Sequence, residues 1–162
     1  FGDGSTFHSY SITGGEPLIN YEFVKALANK LRENTKAKVF LETSGLTTKY
    51  FKELDDVFHI MSIDIKTHSE KVLNHLPSLL ESLCDLKNTD YYLKLLLPVE
   101  NAKKIIDYTA EELHNYNIKS IIIQPVDSKI TKDILDYLYN KYYTNGIEAR
   151  LIPQTHKILS IP

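Results

Sequence analysis

The chain has 162 residues, 43% hydrophobic and 25% charged, which is the composition of one globular domain of ordinary size. With 19 Lys and Arg against 21 Asp and Glu, the formal net charge of -2 gives no general attraction to nucleic acid or to an acidic membrane surface. The one cysteine, Cys84, excludes an intrachain disulfide and any cluster or zinc site built from this chain's cysteines alone.

In chain order, β-rich runs predict strands over 9–13, 38–42, 59–64, 91–97, 120–124 and 147–152. Between the first two, Tyr21, Val24, Leu27, Ala28 and Leu31 fall on one face of a helix, and Pro17 ahead of them suits a first helical turn. Residues 47–55 predict a short helix around Phe51 and Leu54. Residues 69–86 predict a helix around Leu76, Leu79, Leu80 and Leu83, with Ser69 as N-cap and Pro77 interrupting it. Ile105, Ile106, Thr109, Ala110 and Leu113 predict the next helix, and Ile130, Ile134, Leu135 and Leu138 the last. Asn145-Gly146 stops it before the final strand.

Strands alternating with helices imply parallel strands joined by right-handed crossovers. Six strands are too few for a closed eight-stranded barrel, which takes about 250 residues. An open sheet or a partial, curved barrel in a single domain over 1–162 is expected. The longest apolar runs, near 93–99 and 121–123, fall far short of the roughly 20 residues that span a bilayer. Phe1-Gly2-Asp3-Gly4 does not read as a signal peptide. These features predict a soluble cytoplasmic protein with no nucleic-acid or membrane partner.

In parallel α/β folds, ligands bind at the carboxyl ends of the strands. Polar segments collect there: Thr13-Gly14-Gly15-Glu16-Pro17, Glu42-Thr43-Ser44-Gly45, Asp64-Ile65-Lys66, Gln124-Pro125-Val126-Asp127 and Pro153-Gln154-Thr155-His156-Lys157. Polar strand-to-helix loops are common, but five on one rim, with Lys94 inside an apolar strand, point to a site. Gly14-Gly15 lets backbone groups approach a ligand closely. Glu16 can accept hydrogen bonds from an ammonium. Asp64 and Lys66 set opposite charges at one strand end, suited to a zwitterion or a ribose. Lys94 either pairs with Glu42 or Asp64 or contacts a ligand. The six histidines show no metal-ligand spacing, and no metal ligand is assigned within the chain. Of the 11 tyrosines, Tyr137, Tyr139, Tyr142 and Tyr143 suggest packing or a homodimer contact more than base stacking.

Gly14-Gly15-Glu16-Pro17 after a strand, followed by Leu41-Glu42-Thr43-Ser44-Gly45, resembles the S-adenosylmethionine (SAM) site of the radical SAM superfamily. Ser62-Ile63-Asp64-Ile65-Lys66, Gln124-Pro125-Val126-Asp127 and Pro153-Gln154-Thr155-His156-Lys157 narrow the resemblance to the 7-carboxy-7-deazaguanine synthase family. Ser44 stands where that pattern more often has Asn. The resemblance implies an α/β fold, a partial parallel (β/α) barrel lacking its first βα unit. It implies SAM and a 4Fe–4S cluster as cofactors, with Mg2+ besides, and an electron donor such as flavodoxin or ferredoxin. The implied reaction is ring contraction of 6-carboxy-5,6,7,8-tetrahydropterin to 7-carboxy-7-deazaguanine, a lyase step toward queuosine or archaeosine.

Carried over residue by residue, the resemblance gives Gly14, Gly15 and Glu16 to SAM, with Pro17 shaping the turn. Glu42 and Ser44 line its pocket, Asp64, Ile65 and Lys66 contact its ribose or carboxylate, and Gln124, Pro125, Val126 and Asp127 flank its adenine. Thr13, Gln154 and His156 face the pterin, and the Pro162 carboxylate is available to the substrate if the chain end folds over the site. No residue of this chain is assigned as catalytic. The cluster and Mg2+ ligands are expected upstream of Phe1. The alternatives are a relative without radical chemistry that only binds SAM or a nucleotide, and an activating enzyme of the pyruvate formate-lyase type.

Overall fold

The computed structural model describes residues 7–155 and 159. They fall into two compact units, one drawn from Phe1–Asp64 with Glu81–Tyr92, the other from Ile65–Leu80 with Leu93–Pro162. All six predicted strands are present, each within two residues of its expected ends.

The first unit pairs β1 (Ser9–Ile12), β2 (Lys38–Thr43) and β3 (Ile60–Ile65) in parallel and in chain order. Helix α1 (Tyr21–Asn34) makes the first crossover. A short 3-10 turn (Thr48–Tyr50) and α2 (Phe51–Leu54) make the second. Right-handed crossovers between strands wound in one direction put every helix on the same face of the sheet. The burial pattern agrees. Val39, Leu41, Thr43, Met61, Ile63 and Ile65 are buried. On the opposite face of β2, Lys38 and Glu42 are exposed. This one-sided winding is that of a (β/α) barrel wall and differs from a doubly wound sheet, whose helices cover both faces.

α1 buries Tyr21, Val24 and Ala28 as predicted, but Leu27 and Leu31 are only half-buried. Among the described residues β1 pairs with β2 alone. The outer flank of α1 therefore overhangs an unpaired strand edge. An apolar groove of about 890 Å3 results, lined by Tyr10, Ile12, Phe23, Leu27 and Leu31 and reaching Thr13, Gly14 and Glu16. Elsewhere in this unit the Asp55 carboxylate accepts the backbone N–H groups of Lys87, Asn88 and Thr89. Burial pushes its pKa up, and these bonds more than offset that and hold it below the ordinary value. His59 Nδ1 accepts the Val39 N–H at 2.9 Å, so this histidine helps join β2 to β3.

The second unit repeats the pattern. β4 (Asp90–Leu97), β5 (Ser120–Pro125) and β6 (Glu148–Leu151) pair in parallel in chain order, with crossovers α5 (Ala102–Asn115) and α6 (Lys132–Thr144). Leu93, Leu95, Leu97, Ile121 and Ile123 are buried, while Lys94, Leu96, Ile122 and Gln124 are half-buried on the other face. The predicted helix over 69–86 is two helices, α3 (Glu70–Leu73) and α4 (Leu76–Leu83). Ser69 caps the first by accepting the Val72 N–H, and Pro77 sits in the first turn of the second. There a missing N–H leaves no helical bond unmade.

Thr131 caps α6, accepting the Ile134 N–H at 3.3 Å, so Ile130 lies outside the helix whose face it was expected to share. The residues α6 buries fully are Leu138 and Tyr142. Tyr142 has no solvent exposure, and its hydroxyl lies 2.6 Å from Thr109 Oγ1 on α5. Burial pushes the Tyr142 phenol well above its usual range, so the proton stays on. Tyr142→Phe is expected to cost about 1 kcal/mol, the net worth of one buried hydrogen bond. Urea denaturation should show it as a lower midpoint at unchanged m-value. Tyr143, by contrast, is 83% exposed.

Candidate functional site

The site in the first unit is built where β1 and β2 end. β1 stops at Ile12, and Gly14 and Gly15 turn the chain with φ of +98° and +55°. A Cβ at either position would meet nothing within 4 Å, so the glycines are required by backbone conformation and not by lack of space. The turn delivers Glu16 to the head of a 3-10 turn (Pro17–Asn20) that leads into α1, with Pro17 and Leu18 buried behind it.

Glu16 is the hub. Its Oε1 accepts the Thr43 hydroxyl at 2.7 Å and the Leu18 N–H at 3.2 Å. Its Oε2 accepts the Ser44 N–H at 2.7 Å and the Ser44 hydroxyl. Four donors on two oxygens fill the roughly four acceptor positions of a carboxylate. Burial pushes the Glu16 pKa up. The bonds from Ser44, Thr43 and Leu18 outweigh that and hold the carboxyl below its ordinary 4.5. Glu16 thus ties the loop after β1 to the loop after β2.

On the other face of the sheet, Thr13 Oγ1 makes a long 3.5 Å contact to Glu42 Oε2. Glu42 is in register with Ser62 on β3. Ser62 is only 4% exposed, and its hydroxyl has no hydrogen-bond partner among the described residues. Asp64 follows two residues later on the same face, half-buried. Thr13, Glu42, Ser62 and Asp64 therefore form a polar strip on the helix-free face, toward the carboxyl ends of these strands. Ile65 closes β3 and is buried, and Lys66 follows it half-buried.

The second unit builds its rim from β5 and the chain after β6. Gln124 is half-buried near the end of β5, and Pro125 is its buried last residue. Val126 is 37% exposed, and it opens a 3-10 turn (Val126–Ser128). Asp127 and Ser128 both take left-handed backbone, with φ of +52° and +56°. Neither is glycine, so each conformation costs on the order of 1 kcal/mol. Gln154 holds them: its Oε1 accepts the Asp127 N–H at 2.9 Å, and its own N–H donates to Ser128 Oγ at 3.0 Å. His156 and Pro162 lie outside the described residues. Lys94 is half-buried on β4, in register with Ile122.

The sequence alone points to no role for two residues that the structure brings into these contacts, Thr43 and Ser128. The place of Thr43 one residue after Glu42 puts it on the helix side of β2, where a buried threonine needs a partner, and that alternation was the available signal. Ser128 carried no signal, because its role follows from a left-handed turn that non-glycine residues rarely adopt.

Residues 3–80 match the family described as a 4Fe-4S single cluster domain. The matched segment contains no cysteine, and Cys84 lies beyond it, so this stretch brings no thiolate ligand. Among the described residues no group of three or more His, Cys, Asp and Glu could hold a metal ion. A 4Fe–4S cluster therefore does not fit the residues present. The open backbone turn at Gly14-Gly15 and the polar strip offer hydrogen-bonding groups to a polar ligand. No helix among the described residues is long and apolar enough to cross a membrane.

The chain is similar to the 7-carboxy-7-deazaguanine synthase of Methanopyrus kandleri, 26% identical over 95% of this chain and 61% of that protein. It is similar to the synthase of the same name from Archaeoglobus fulgidus, 24% identical over 98% of this chain and 69% of that protein. It also resembles the 4-hydroxyphenylacetate decarboxylase activating enzyme of Clostridioides difficile, 28% identical over 71% of this chain and 40% of that protein. The chain spans about three-fifths to two-thirds of the length of the curated synthases it matches along nearly its whole extent.

Proposed function

We propose that this chain, by its match to a 4Fe-4S single cluster domain and its likeness to the 7-carboxy-7-deazaguanine synthases, belongs to the radical SAM superfamily and is the SAM- and substrate-binding part of such a synthase. The reaction is ring contraction of 6-carboxy-5,6,7,8-tetrahydropterin to 7-carboxy-7-deazaguanine, and the enzyme is cytoplasmic. The observation that carries this reading is the extent of the similarity: it runs over 95% and 98% of the chain for two archaeal synthases, through both the glycine turn and the rim after β5.

In such a synthase a 4Fe–4S cluster and SAM would supply the radical chemistry, and the residues of this chain would supply position and exclusion of water. The cluster and Mg2+ ligands would come from outside this sequence, and a flavodoxin or ferredoxin would be the electron donor.

The residues here do the following work. The backbone of Gly14 and Gly15 meets the methionine ammonium, while Glu16, with Ser44 and Thr43, fixes that backbone. Pro17 sets the start of the turn into α1. Glu42, Asp64, Ile65 and Lys66 line the ribose and carboxylate. Gln124, Pro125, Val126 and Asp127 flank the adenine. Thr13 and His156 serve the pterin.

The test is anaerobic reconstitution of the full-length protein with iron, sulfide, SAM, Mg2+, a reductant and 6-carboxytetrahydropterin. Mass spectrometry should show 7-carboxy-7-deazaguanine. The similarity to a glycyl-radical activating enzyme favours a second reading, in which the substrate is a protein backbone. No pterin turnover, together with a glycyl radical signal on a partner enzyme, would decide for it.

A further inference from the structure

We infer that Gln154 is a positioning residue for the nucleoside side of the site, acting through the backbone of the loop after β5. The inference rests on the reading of Gln124, Pro125, Val126 and Asp127 as the adenine-flanking segment. It assigns Gln154 a role other than direct contact with the carbon substrate.

Four observations carry it. First, Asp127 and Ser128 are consecutive left-handed residues, and neither is glycine. Two such residues in a row persist only where the surroundings over-determine them, and such places cluster at ligand clamps. Second, the restraint is specific. Gln154 Oε1 takes the Asp127 N–H, the Gln154 N–H donates to Ser128 Oγ, and the Ser128 hydroxyl lies 3.4 Å from the Gln154 carbonyl oxygen. Third, the turn closes on itself through Lys129 N–H to the Val126 carbonyl at 3.1 Å, leaving the Val126 side chain exposed at the carboxyl end of β5. An apolar side chain beside ordered backbone groups suits the face and edge of a purine. Fourth, the ladder between β5 and the last strand continues through Ile152 N–H to the Ile123 carbonyl at 2.9 Å, which fixes where Gln154 emerges. The amide oxygen that could meet a pterin is thus already bonded to the loop. Removing it frees a strained turn, and the loop relaxes away from the nucleoside.

The discriminating variant adds a glycine. If Gln154 works by holding left-handed backbone, then Asp127→Gly, which reaches that backbone without strain, should repair Gln154→Ala. A direct substrate contact cannot be repaired in this way. In the full-length reconstituted protein, SAM affinity is read by calorimetry, pterin KM by turnover, and the Asp127 amide by hydrogen exchange. Gln154→Ala is expected to weaken SAM binding about tenfold and to speed exchange at Asp127, with pterin KM moved less. Gln154→Ala with Asp127→Gly should recover most of the lost SAM affinity. Ser128→Ala, which removes the two bonds between Ser128 Oγ and the Gln154 backbone and leaves the Gln154 amide bond to the Asp127 N–H in place, should show a loss of the same kind and serves if the first variant does not fold. Unchanged SAM affinity with a raised pterin KM, or a glycine that repairs nothing, overturns the inference. A wild-type protein that binds no SAM overturns the functional reading itself, and does so before any variant is compared.

Discussion

Replacing Glu16 with alanine is expected to destabilise the ligand-free protein by about 2–3 kcal/mol and to weaken SAM binding ten- to a hundredfold. The stability term follows from the four donors on its carboxylate. Thr43 is only 4% exposed, so its hydroxyl is left unpaired in a dry place, and the Ser44 and Leu18 N–H groups lose their acceptor. The loss is smaller than four separate charged hydrogen bonds because the rim is partly open to water. Glu16→Gln should be little better. One carboxylate oxygen becomes an NH2, and at the Oε2 position it would face the Ser44 N–H and hydroxyl, donor against donor. Thermal melts without ligand separate this account from a purely ligand-facing Glu16. A carboxylate that served only the SAM ammonium would leave the melting midpoint of the apo variant unchanged. The pH dependence has a definite sign. The folded pKa of Glu16 lies below its ordinary 4.5, so its contribution is complete above that value. It should fade as the pH falls through the lower folded value, and the Ala variant should lose that part of the acid slope.

The alternation of strands and helices was legible because each buried strand is a short run of β-branched and leucine residues, and α1 and α5 carry a clear 3.6-residue period. The ends were less so. Pro77 reads as a break in one helix, whereas the chain uses it to start another, since a first turn does not need its N–H. Leu27 and Leu31 read as core because periodicity reports which face is apolar, not whether anything covers it. The unpaired flank of β1 leaves them half-exposed among the described residues. At the site, Gly14, Gly15 and Glu16 stood out as a motif. That Glu16 faces Thr43 and Ser44 could not be read from it, because the contact joins residues 27 and 28 positions apart. The same holds for Gln154 and Asp127, 27 apart, where the decisive feature is a left-handed turn in residues that rarely make one. The two tail residues, His156 and Pro162, stay at the level of sequence expectation.

The glycine turn should respond to substitution in a graded way that depends on φ alone. Because a Cβ at Gly14 or Gly15 meets nothing within 4 Å, no steric term confuses the measurement. Gly15, at +55°, lies in the left-handed region near about +57° that asparagine tolerates. Gly15→Asn should therefore cost only a few tenths of a kcal/mol, and Gly15→Ala about 1 kcal/mol. Gly14, at +98°, lies well beyond that region, where any side chain is strained. Gly14→Ala should cost about 2 kcal/mol and Gly14→Asn scarcely less. The functional effect should follow the same order. Relieving the strain means moving the turn, and Glu16 is two residues from Gly14. Any movement therefore lengthens its bonds to Thr43 and Ser44 and shifts the backbone offered to the methionine ammonium. Titration with SAM should show Gly15→Asn within about threefold of wild type and Gly14→Ala weaker by about thirtyfold, the factor that about 2 kcal/mol implies. Equal losses at the two positions would show that the side chains obstruct the ligand, and would remove the conformational account of the turn.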